Sequence, residues 1–274
     1  MLNKARIRKS FSRAASTYDA SALLQRYVAV ELSGLIKTSM DGGSVTALDI
    51  GCGTGSLAGH IKDLYPGGRV YGCDIALPML LRARENSCDD NGRGIKGLVG
   101  ADFEGLSFVS SAFDLVASNL AYQWAPDLSR AFTEAARVLK PGGLFAFTTL
   151  GAGTLRELRE CYTEVFNGGR ARFEPFKGAE DVASALDAAG LERVETKSTE
   201  VKRAYKDPLE LLRALKKVGA FSRAFDNAKW GPSAGRVRSL KEVFALYRER
   251  FPSPHLPEGI TATYDVIFAL ARKP

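Results

Sequence analysis

The chain has 274 residues, of which 45% are hydrophobic and 25% charged, and its formal net charge is +7; this is enough for a globular core with an added segment. Because no apolar run approaches the roughly 18 residues of a membrane helix and the basic N-terminus lacks the apolar centre of a signal peptide, we expect a cytoplasmic protein without a membrane partner. Its four cysteines form neither a close pair nor a cluster with the two histidines, which argues against a disulfide framework and against a metal site.

The first 40 residues predict helices that precede the core. Residues 1–20 are basic and rich in Ser and Ala, and they predict a short helix followed by a turn. Apolar residues then recur at helical spacing over 21–38 and predict a packed helix. We expect residues 1–40 to form a helical lid on a core that spans 41–200.

A glycine-rich segment follows the first predicted strand, 45–50, and precedes a predicted helix, 56–64. Its glycines stand at 51, 53 and 55, so it is not the G-x-G-x-x-G of a pyrophosphate site, and Asp49 comes two residues before the first glycine. A carboxylate repels phosphate but attracts a cation. The pattern D-x-G-x-G-x-G resembles that of class I methyltransferases, whose cofactor S-adenosylmethionine carries a sulfonium and an ammonium. The resemblance implies a cofactor site shaped by Asp49, Gly51, Gly53 and Gly55; a glycine turn without a ligand is the alternative.

An acidic residue ends the second predicted strand, 69–73. Asp74 stands 19 residues after Gly55, where a carboxylate can accept the two ribose hydroxyls of a nucleoside cofactor, with Ile75 beside it. Capping of the helix predicted over 77–85 is an alternative that is compatible with this role.

A second acidic residue follows the third predicted strand, 95–100. By resemblance to class I methyltransferases, Asp102 is the acid that contacts adenine and Phe103 is its apolar neighbour. Strand four is predicted over 113–118, and because the carboxyl ends of parallel strands line the active-site crevice, we expect the methyl acceptor beside residues 119–124.

The remaining elements complete an α/β sheet. We predict a helix over 128–139, a tight turn over 139–143 and strand five over 144–150. Helices over 154–166 and 178–189 follow, and then a strand over 191–201 that pairs antiparallel with a last strand over 260–271. The fold class is therefore a Rossmann-like, mostly parallel sheet with an antiparallel last strand, in which 258–274 closes the core and 201–257 is a basic helical insertion.

Positive charge is concentrated in that insertion. From 201 to 240 there are ten Lys or Arg against three Asp or Glu, a net charge of +7. Such a segment favours an acidic partner: nucleic acid, an anionic surface or an acidic carrier protein. We expect no nucleic acid, because the basic residues are not interleaved with a series of exposed aromatics and no recognition module is evident.

Five segments resemble the malonyl-acyl-carrier-protein O-methyltransferase family of biotin synthesis. They are residues 9–19, 118–124, 147–150, 153–158 and 215–220. The resemblance implies esterification of the free carboxylate of a malonyl thioester on acyl carrier protein. A carboxylate is already ionised at neutral pH, so no general base is required and no residue is predicted to act as one.

Further roles follow from the same resemblance. Tyr18 covers the methionine end of the cofactor, with a buried core tyrosine as the alternative. Asn119, Leu120 and Trp124 border the transferred methyl, although Trp124 could equally serve core packing. Cations that hold the carrier or the malonyl carboxylate are drawn from Lys202, Arg203, Lys216, Lys217 and Arg223. The competing function is methylation of a small molecule, such as a quinone precursor or a short diacid, at oxygen or carbon.

Overall fold

Seven strands form one sheet in the computed structural model, which describes residues 3–87, 94–166, 176–219 and 234–274. The strands are β1 (Thr46–Ile50), β2 (Arg69–Asp74), β3 (Gly97–Gly100), β4 (Phe113–Ser118), β5 (Leu139–Leu150), β6 (Glu192–Tyr205) and β7 (Ile260–Arg272). Their order is β3-β2-β1-β4-β5-β7-β6, and only β7 runs antiparallel to its neighbours. The predicted fold class, with an antiparallel last strand, is confirmed.

Helices cover both faces of this sheet. In the described residues they are α1 (Lys4–Ala14), α2 (Tyr18–Ser21), α3 (Leu23–Ser39), α4 (Ser56–Leu64), α5 (Leu77–Ser87), α6 (Leu128–Val138), α7 (Arg156–Val165), α8 (Ala179–Ala188), α9 (Pro208–Lys217) and α10 (Ala234–Arg250). A short 3₁₀ turn, Tyr122–Trp124, follows β4. None of the helices in these ranges is long and apolar enough to cross a membrane.

The two faces of the sheet bury alternate residues of the same strands. In β4, Leu115 packs with α3, α4 and α7, whereas Val116 packs with α6 and α8. The same alternation occurs at Leu144 and Phe145 of β5. This two-residue period is what a strand covered on both faces requires, and it fixes the register of the sheet.

The chain reverses direction across the sheet between β1 and β4. From β1 it moves outward to β2 and β3, and it then returns to β4 on the other side of β1. In open α/β sheets such a switch point, at the carboxyl ends of the strands, leaves a crevice that binds ligands. The glycine turn after β1 and residues 119–124 after β4 both lie at this edge.

Two boundaries differ from those predicted by more than three residues. Strand β5 begins at Leu139, which pairs with Phe113, and the next pair is Leu144 with Leu115; the residues between them, expected as a tight turn, form an irregularity inside the strand. Gly142 there has φ +73°, as bulges with glycine often do. Strand β6 continues to Tyr205, so the segment 201–257 begins as part of the sheet. Residues 220–233 of that segment lie outside the described residues.

Candidate active site

The glycine turn after β1 is held in a left-handed backbone conformation. Gly51, Gly53 and Gly55 have φ values of +68°, +54° and +90°. A Cβ atom on Gly51 would lie 2.5 Å from the Cβ of Ala121, so this position also needs glycine because the loop after β4 approaches closely. The turn and the loop together form the floor of a cavity.

Asp49 lies behind this turn. Its side chain is 1% exposed, and its Oδ2 accepts a hydrogen bond from the backbone N–H of Ala58 in α4 at 3.0 Å. Burial raises the pKa of Asp49 to about 8. It does not line the cavity, and neither does Gly55. In the structure Asp49 therefore fixes β1 to α4, and its attraction of a cationic cofactor stays a prediction.

A cavity of about 70 Å³ lies above the turn, at the carboxyl ends of β1, β2 and β4. Most residues that were predicted to bind the cofactor or to border the transferred methyl line it. They are Tyr18, Gly51, Gly53, Asp74, Ile75, Asp102, Phe103, Asn119, Leu120 and Trp124. Six apolar residues that were not predicted as site residues complete the wall: Ile7, Phe11, Ile50, Met79, Ala101 and Ala121.

Asp74 links the glycine turn to α5. Its Oδ2 accepts from the N–H of Gly53 at 3.0 Å and its Oδ1 accepts from the N–H of Ala76 at 2.8 Å. Burial raises the pKa of Asp74, while hydrogen bonds from the backbone N–H groups of Ala76, Gly53 and Ile75 oppose that shift. A carboxylate offers about four acceptor positions, so a position remains for a ribose hydroxyl. Helix capping and ribose binding are compatible here.

Asp102 is paired with the first helix. Its Oδ2 lies 2.6 Å from Nζ of Lys4, which also contacts Glu104 at 2.5 Å. Burial disfavours the charged form of Lys4, but the hydrogen bonds that its ammonium donates to both carboxylates outweigh this effect and raise the pKa of the lysine. The acid expected at adenine is therefore also the anchor of α1.

The N-terminal helices contact the core at two further places. The hydroxyl of Thr54, in the glycine turn, donates to Oδ1 of Asp19 at 2.6 Å, and Asn86 donates to the other carboxylate oxygen at 3.2 Å. On the opposite side, the hydroxyl of Ser10 donates to the carbonyl of Gly219 at 3.1 Å. Residues 4–19 thus lie over the cofactor cavity and reach the end of α9.

Asn119 and Leu120 form the edge of the cavity after β4. The Asn119 side chain donates to the carbonyl of Gln25 at 2.8 Å and accepts from the hydroxyl of Thr148 at 2.9 Å. Leu120 has φ +49°, which is rare for a leucine, and its N–H donates to the Thr148 hydroxyl at 3.0 Å. Strained backbone of this kind concentrates at functional sites. It places Leu120 where the cofactor cavity ends.

A second cavity, of about 490 Å³, adjoins the first. Phe11, Tyr18, Leu120 and Trp124 line both, and we call these four residues the junction. Trp124 is buried and meets Phe11 edge to face, with ring centroids 5.3 Å apart. Tyr18 is half-buried, and burial raises the pKa of its hydroxyl. The junction is the place where a methyl donor in one cavity and an acceptor in the other come together.

Charged and hydroxyl groups line part of the larger cavity. They are Arg203 and Tyr205 of β6, Glu210, Arg213 and Lys217 of α9, and Tyr264 of β7. The hydroxyls of Tyr205 and Tyr264 are 2.8 Å apart. Glu210, Arg213 and Lys217 recur at the spacing of one helix face, a signal that groups Arg213 with Lys217 in the sequence but does not show where that face points.

The predicted basic residues thus separate into two groups. Arg203 and Lys217 line the larger cavity. Lys202 and Lys216 are exposed and do not line it. Arg223 lies outside the described residues.

The residues around the smaller cavity fit the methyl donor S-adenosylmethionine. Gly51 and Gly53 allow a ligand to approach the backbone, Asp74 retains acceptor capacity for a hydroxyl, and Ile75 and Phe103 supply apolar surface for a ring. Within the described ranges no cluster of His, Cys, Asp or Glu could hold a metal ion.

Comparison with known proteins gives the same class. A methyltransferase domain family, Methyltransf_11, matches residues 48–147. A malonyl-[acyl-carrier protein] O-methyltransferase of Geobacter sulfurreducens is 36% identical over 279 residues, covering 100% of each chain. In fold, the chain is similar to a putative methyltransferase from Bacillus halodurans C-125, with a TM-score of 0.61, 21% identity and coverage of 89% of this chain and 99% of that one.

A second solved structure contains the methyl donor. It is the Haemonchus contortus phosphoethanolamine N-methyltransferase 2 in complex with S-adenosyl-L-methionine. Its TM-score is 0.55 at 21% identity, and the alignment covers 89% of this chain and 52% of that one.

Proposed function

Because the chain belongs to the malonyl-[acyl-carrier protein] O-methyltransferase family, we propose that it transfers the methyl group of S-adenosylmethionine to the free carboxylate of a malonyl thioester on acyl carrier protein. The product is a methyl ester that masks the charge of the malonyl group, as a primer for pimeloyl and biotin synthesis requires. The observation that carries this proposal is the junction, at which a small cavity that fits the cofactor meets a larger one lined by cations.

The chemistry requires positioning more than proton transfer. When bound, S-adenosylmethionine supplies an electrophilic methyl group. The carboxylate acceptor has a pKa near 4 in its unperturbed state and is ionised at neutral pH, so no side chain has to remove a proton. Phe11, Tyr18, Leu120 and Trp124 enclose the reacting atoms, exclude water and restrict their approach. Such restriction of orientation can supply about 7 to 11 kcal/mol of the barrier reduction.

Cofactor binding is assigned to the residues of the smaller cavity. Asp74 and Ile75 hold the ribose side, and Asp102 and Phe103 the adenine side. Gly51, Gly53, Asn119 and Leu120 surround the methionine side, under Tyr18. Asp49 and Gly55 support this site from behind the turn, since neither lines the cavity.

The carrier protein is proposed to dock on the exposed lysines beside the larger cavity. Lys202 and Lys216 are exposed and carry no ion pair with the part of the chain that the structure describes. Acyl carrier protein is acidic, so opposite charges would guide its approach and orient the thioester arm toward the cavity. Arg223 belongs to this proposal on its sequence position alone. We also propose that the reaction takes place in the cytoplasm.

The test is direct. The protein is mixed with S-adenosylmethionine and malonyl-loaded acyl carrier protein, and the carrier is weighed intact by mass spectrometry. We expect the carrier to gain one methyl mass, and alkaline hydrolysis to remove it as methanol. Acetyl-loaded carrier, which has no free carboxylate, is the control. An unchanged mass of the malonyl carrier would contradict the proposal, and methylation of free malonate alone would favour a small-molecule acceptor.

A further inference from the structure

The larger cavity has two ends that differ in distance from the junction. Helix α9 runs along its wall, and the C-terminal end of this helix packs on α1. A Cβ atom on Gly219 would lie 3.0 Å from the ring of Phe11, a junction residue, and Ser10 donates to the Gly219 carbonyl. The C-terminal end of α9 is therefore the end that lies at the junction.

The other end of the cavity is formed where β6 leads into α9. Tyr205 and Tyr264 share a hydrogen bond there, and Glu210 is held at this end because its Oε2 accepts from the N–H of Lys206, the residue after Tyr205. Arg203 precedes Tyr205 by two residues on the same face of β6 and lines the cavity, so it belongs to this end as well.

The cations of α9 lie between these two ends. Lys217 is two residues before Gly219, at the junction end, and Arg213 is about 6 Å further back along the helix axis. Arg213 and Lys217 have no ion pair within the residues that the structure describes. By contrast, Arg156 and Arg250, on the neighbouring surface, each pair with a glutamate.

The helix end itself disfavours an anion. The last carbonyl groups of a helix carry a partial negative charge, so a carboxylate brought to the junction beside the end of α9 would be repelled. A cation in the last turn offsets this repulsion. Lys217 is the cavity-lining cation in that turn; Lys216 lies in the same turn but does not line the cavity.

We propose that Lys217 binds the carboxylate that receives the methyl group and holds one of its oxygens at the junction, with Arg213 one turn behind as a second cation. This inference rests on the proposed function and names the residue that selects an acyl group with a free carboxylate. The ammonium of Lys217 positions the acceptor by contacting one carboxylate oxygen at a time. The second carboxylate oxygen therefore stays available to receive the methyl group.

The experiment compares Lys217→Met, Lys217→Arg and Arg213→Met with a matched control, Lys241→Met. Lys241 is an exposed lysine of α10 that does not line either cavity. Methyl transfer is measured on two acceptors, malonyl-loaded acyl carrier protein and malonyl-pantetheine, which has no carrier protein. Calorimetric binding of S-adenosylmethionine reports on folding, because Lys217 lies outside the cofactor cavity.

We expect Lys217→Met to lose about 10- to 100-fold in kcat/KM on both acceptors, as for the loss of a hydrogen bond to a charged group. Lys217→Arg should recover most of this loss, Arg213→Met should lose less, and Lys241→Met should match the wild type. Cofactor affinity should be unchanged throughout.

Three results would overturn the inference while leaving the proposed function intact. The first is a wild-type kcat/KM in Lys217→Met. The second is a loss in Lys217→Met that is confined to the carrier-bound acceptor, which would make Lys217 a docking residue. The third is a larger loss of kcat/KM in Arg213→Met than in Lys217→Met. A wild-type enzyme that methylates neither malonyl thioester would instead overturn the proposed function, and this inference with it.

Discussion

Asp49 is the acidic residue of the glycine motif, yet its carboxyl is enclosed by protein and bonded to the N–H of Ala58. The free energy of an ionised carboxylate rises steeply when it is removed from water, and the one backbone hydrogen bond offsets only part of that cost. Burial therefore raises the pKa of Asp49 to about 8, and the folded protein keeps this proton to a higher pH than the unfolded chain does. A motif residue can thus act through packing where its charge would suggest electrostatics.

This protonation predicts a pH-dependent stability. Between the ordinary pKa of 3.8 and about 8, the folded protein holds a proton that the unfolded chain has lost. The contribution of Asp49 to stability is therefore complete below the lower value and is lost as pH rises toward the upper one, by at most about 1.4 kcal/mol per pH unit. Asp49→Asn keeps an acceptor for Ala58 and cannot ionise. In urea unfolding at pH 5, 6, 7 and 8, the free energy of unfolding of the variant should rise progressively relative to that of the wild type. A difference in this free energy that does not vary with pH would contradict the raised pKa of Asp49.

Gly51 is required by both backbone conformation and space. An added Cβ would lie 2.5 Å from that of Ala121, and the residue has φ +68°. Gly51→Ala should therefore cost about 1–3 kcal/mol in strain and displace the loop after β4, lowering affinity for S-adenosylmethionine. Calorimetry measures the affinity and thermal unfolding the stability. Gly59→Ala is the control, since Gly59 lies in α4 with no atom within 4 Å of its added Cβ; it should bind normally and be up to about 1 kcal/mol more stable.

Among the elements, α1 determines access to the cofactor cavity. The cavity beneath it has about 70 Å³, whereas pockets that hold ligands of this class have roughly 300–1,000 Å³. We therefore expect helix α1 to shift when the cofactor enters, as the prediction of a lid over residues 1–40 implies. The contacts of Lys4 with Asp102 and Glu104 join this helix to the cavity rim.

Loss of that anchor should accelerate cofactor exchange. A partly exposed ion pair contributes about 0.2–1 kcal/mol, so Lys4→Met should raise the dissociation rate of S-adenosylmethionine about two- to fivefold. Stopped-flow displacement measures this rate. Arg8→Met removes an equal charge from an exposed position of the same helix and should dissociate at the wild-type rate. Equal rates in the two variants would show that Lys4 does not restrain the helix.

At the level of the whole molecule, the net charge of +7 is expected to affect carrier binding. Replacing Lys202 and Lys216 together with Ser should raise the KM for malonyl-loaded carrier about three- to tenfold, with kcat little changed, since rim charges act mainly on association. Raising the ionic strength should raise the wild-type KM more than that of the double variant, because exposed charges are screened. A wild-type KM independent of salt would exclude this surface as the dock.

The general fold and the cofactor cavity were predictable from sequence because both depend on local pattern. Successive apolar residues indicate the strands. The glycines at 51, 53 and 55 and the acidic residue Asp74 each follow or end a strand, and so they indicate the edge of the sheet. The bulge before Leu144 was missed because proline and glycine are equally typical of a turn and of an irregularity within a strand.

Contacts between distant segments were not predictable in the same way. Lys4 and Asp102 are 98 residues apart, and no spacing relates them. The burial of Asp49 depends on the packing of α4. It could not be inferred from the glycine motif, because the motif sequence is the same whether this carboxyl group is buried or exposed. For Arg213 the helical spacing with Glu210 and Lys217 was available, but the direction of that face became known only from the path of α9.

Phe11 belongs to α1 and to the walls of both cavities, and this has a consequence for kinetics. A movement of α1 that admits the cofactor would also move this wall of the larger cavity. We therefore expect a compulsory order, in which S-adenosylmethionine binds before the malonyl thioester and S-adenosylhomocysteine leaves after the ester. S-adenosylhomocysteine would then be a competitive inhibitor with respect to S-adenosylmethionine and a noncompetitive inhibitor with respect to the carrier.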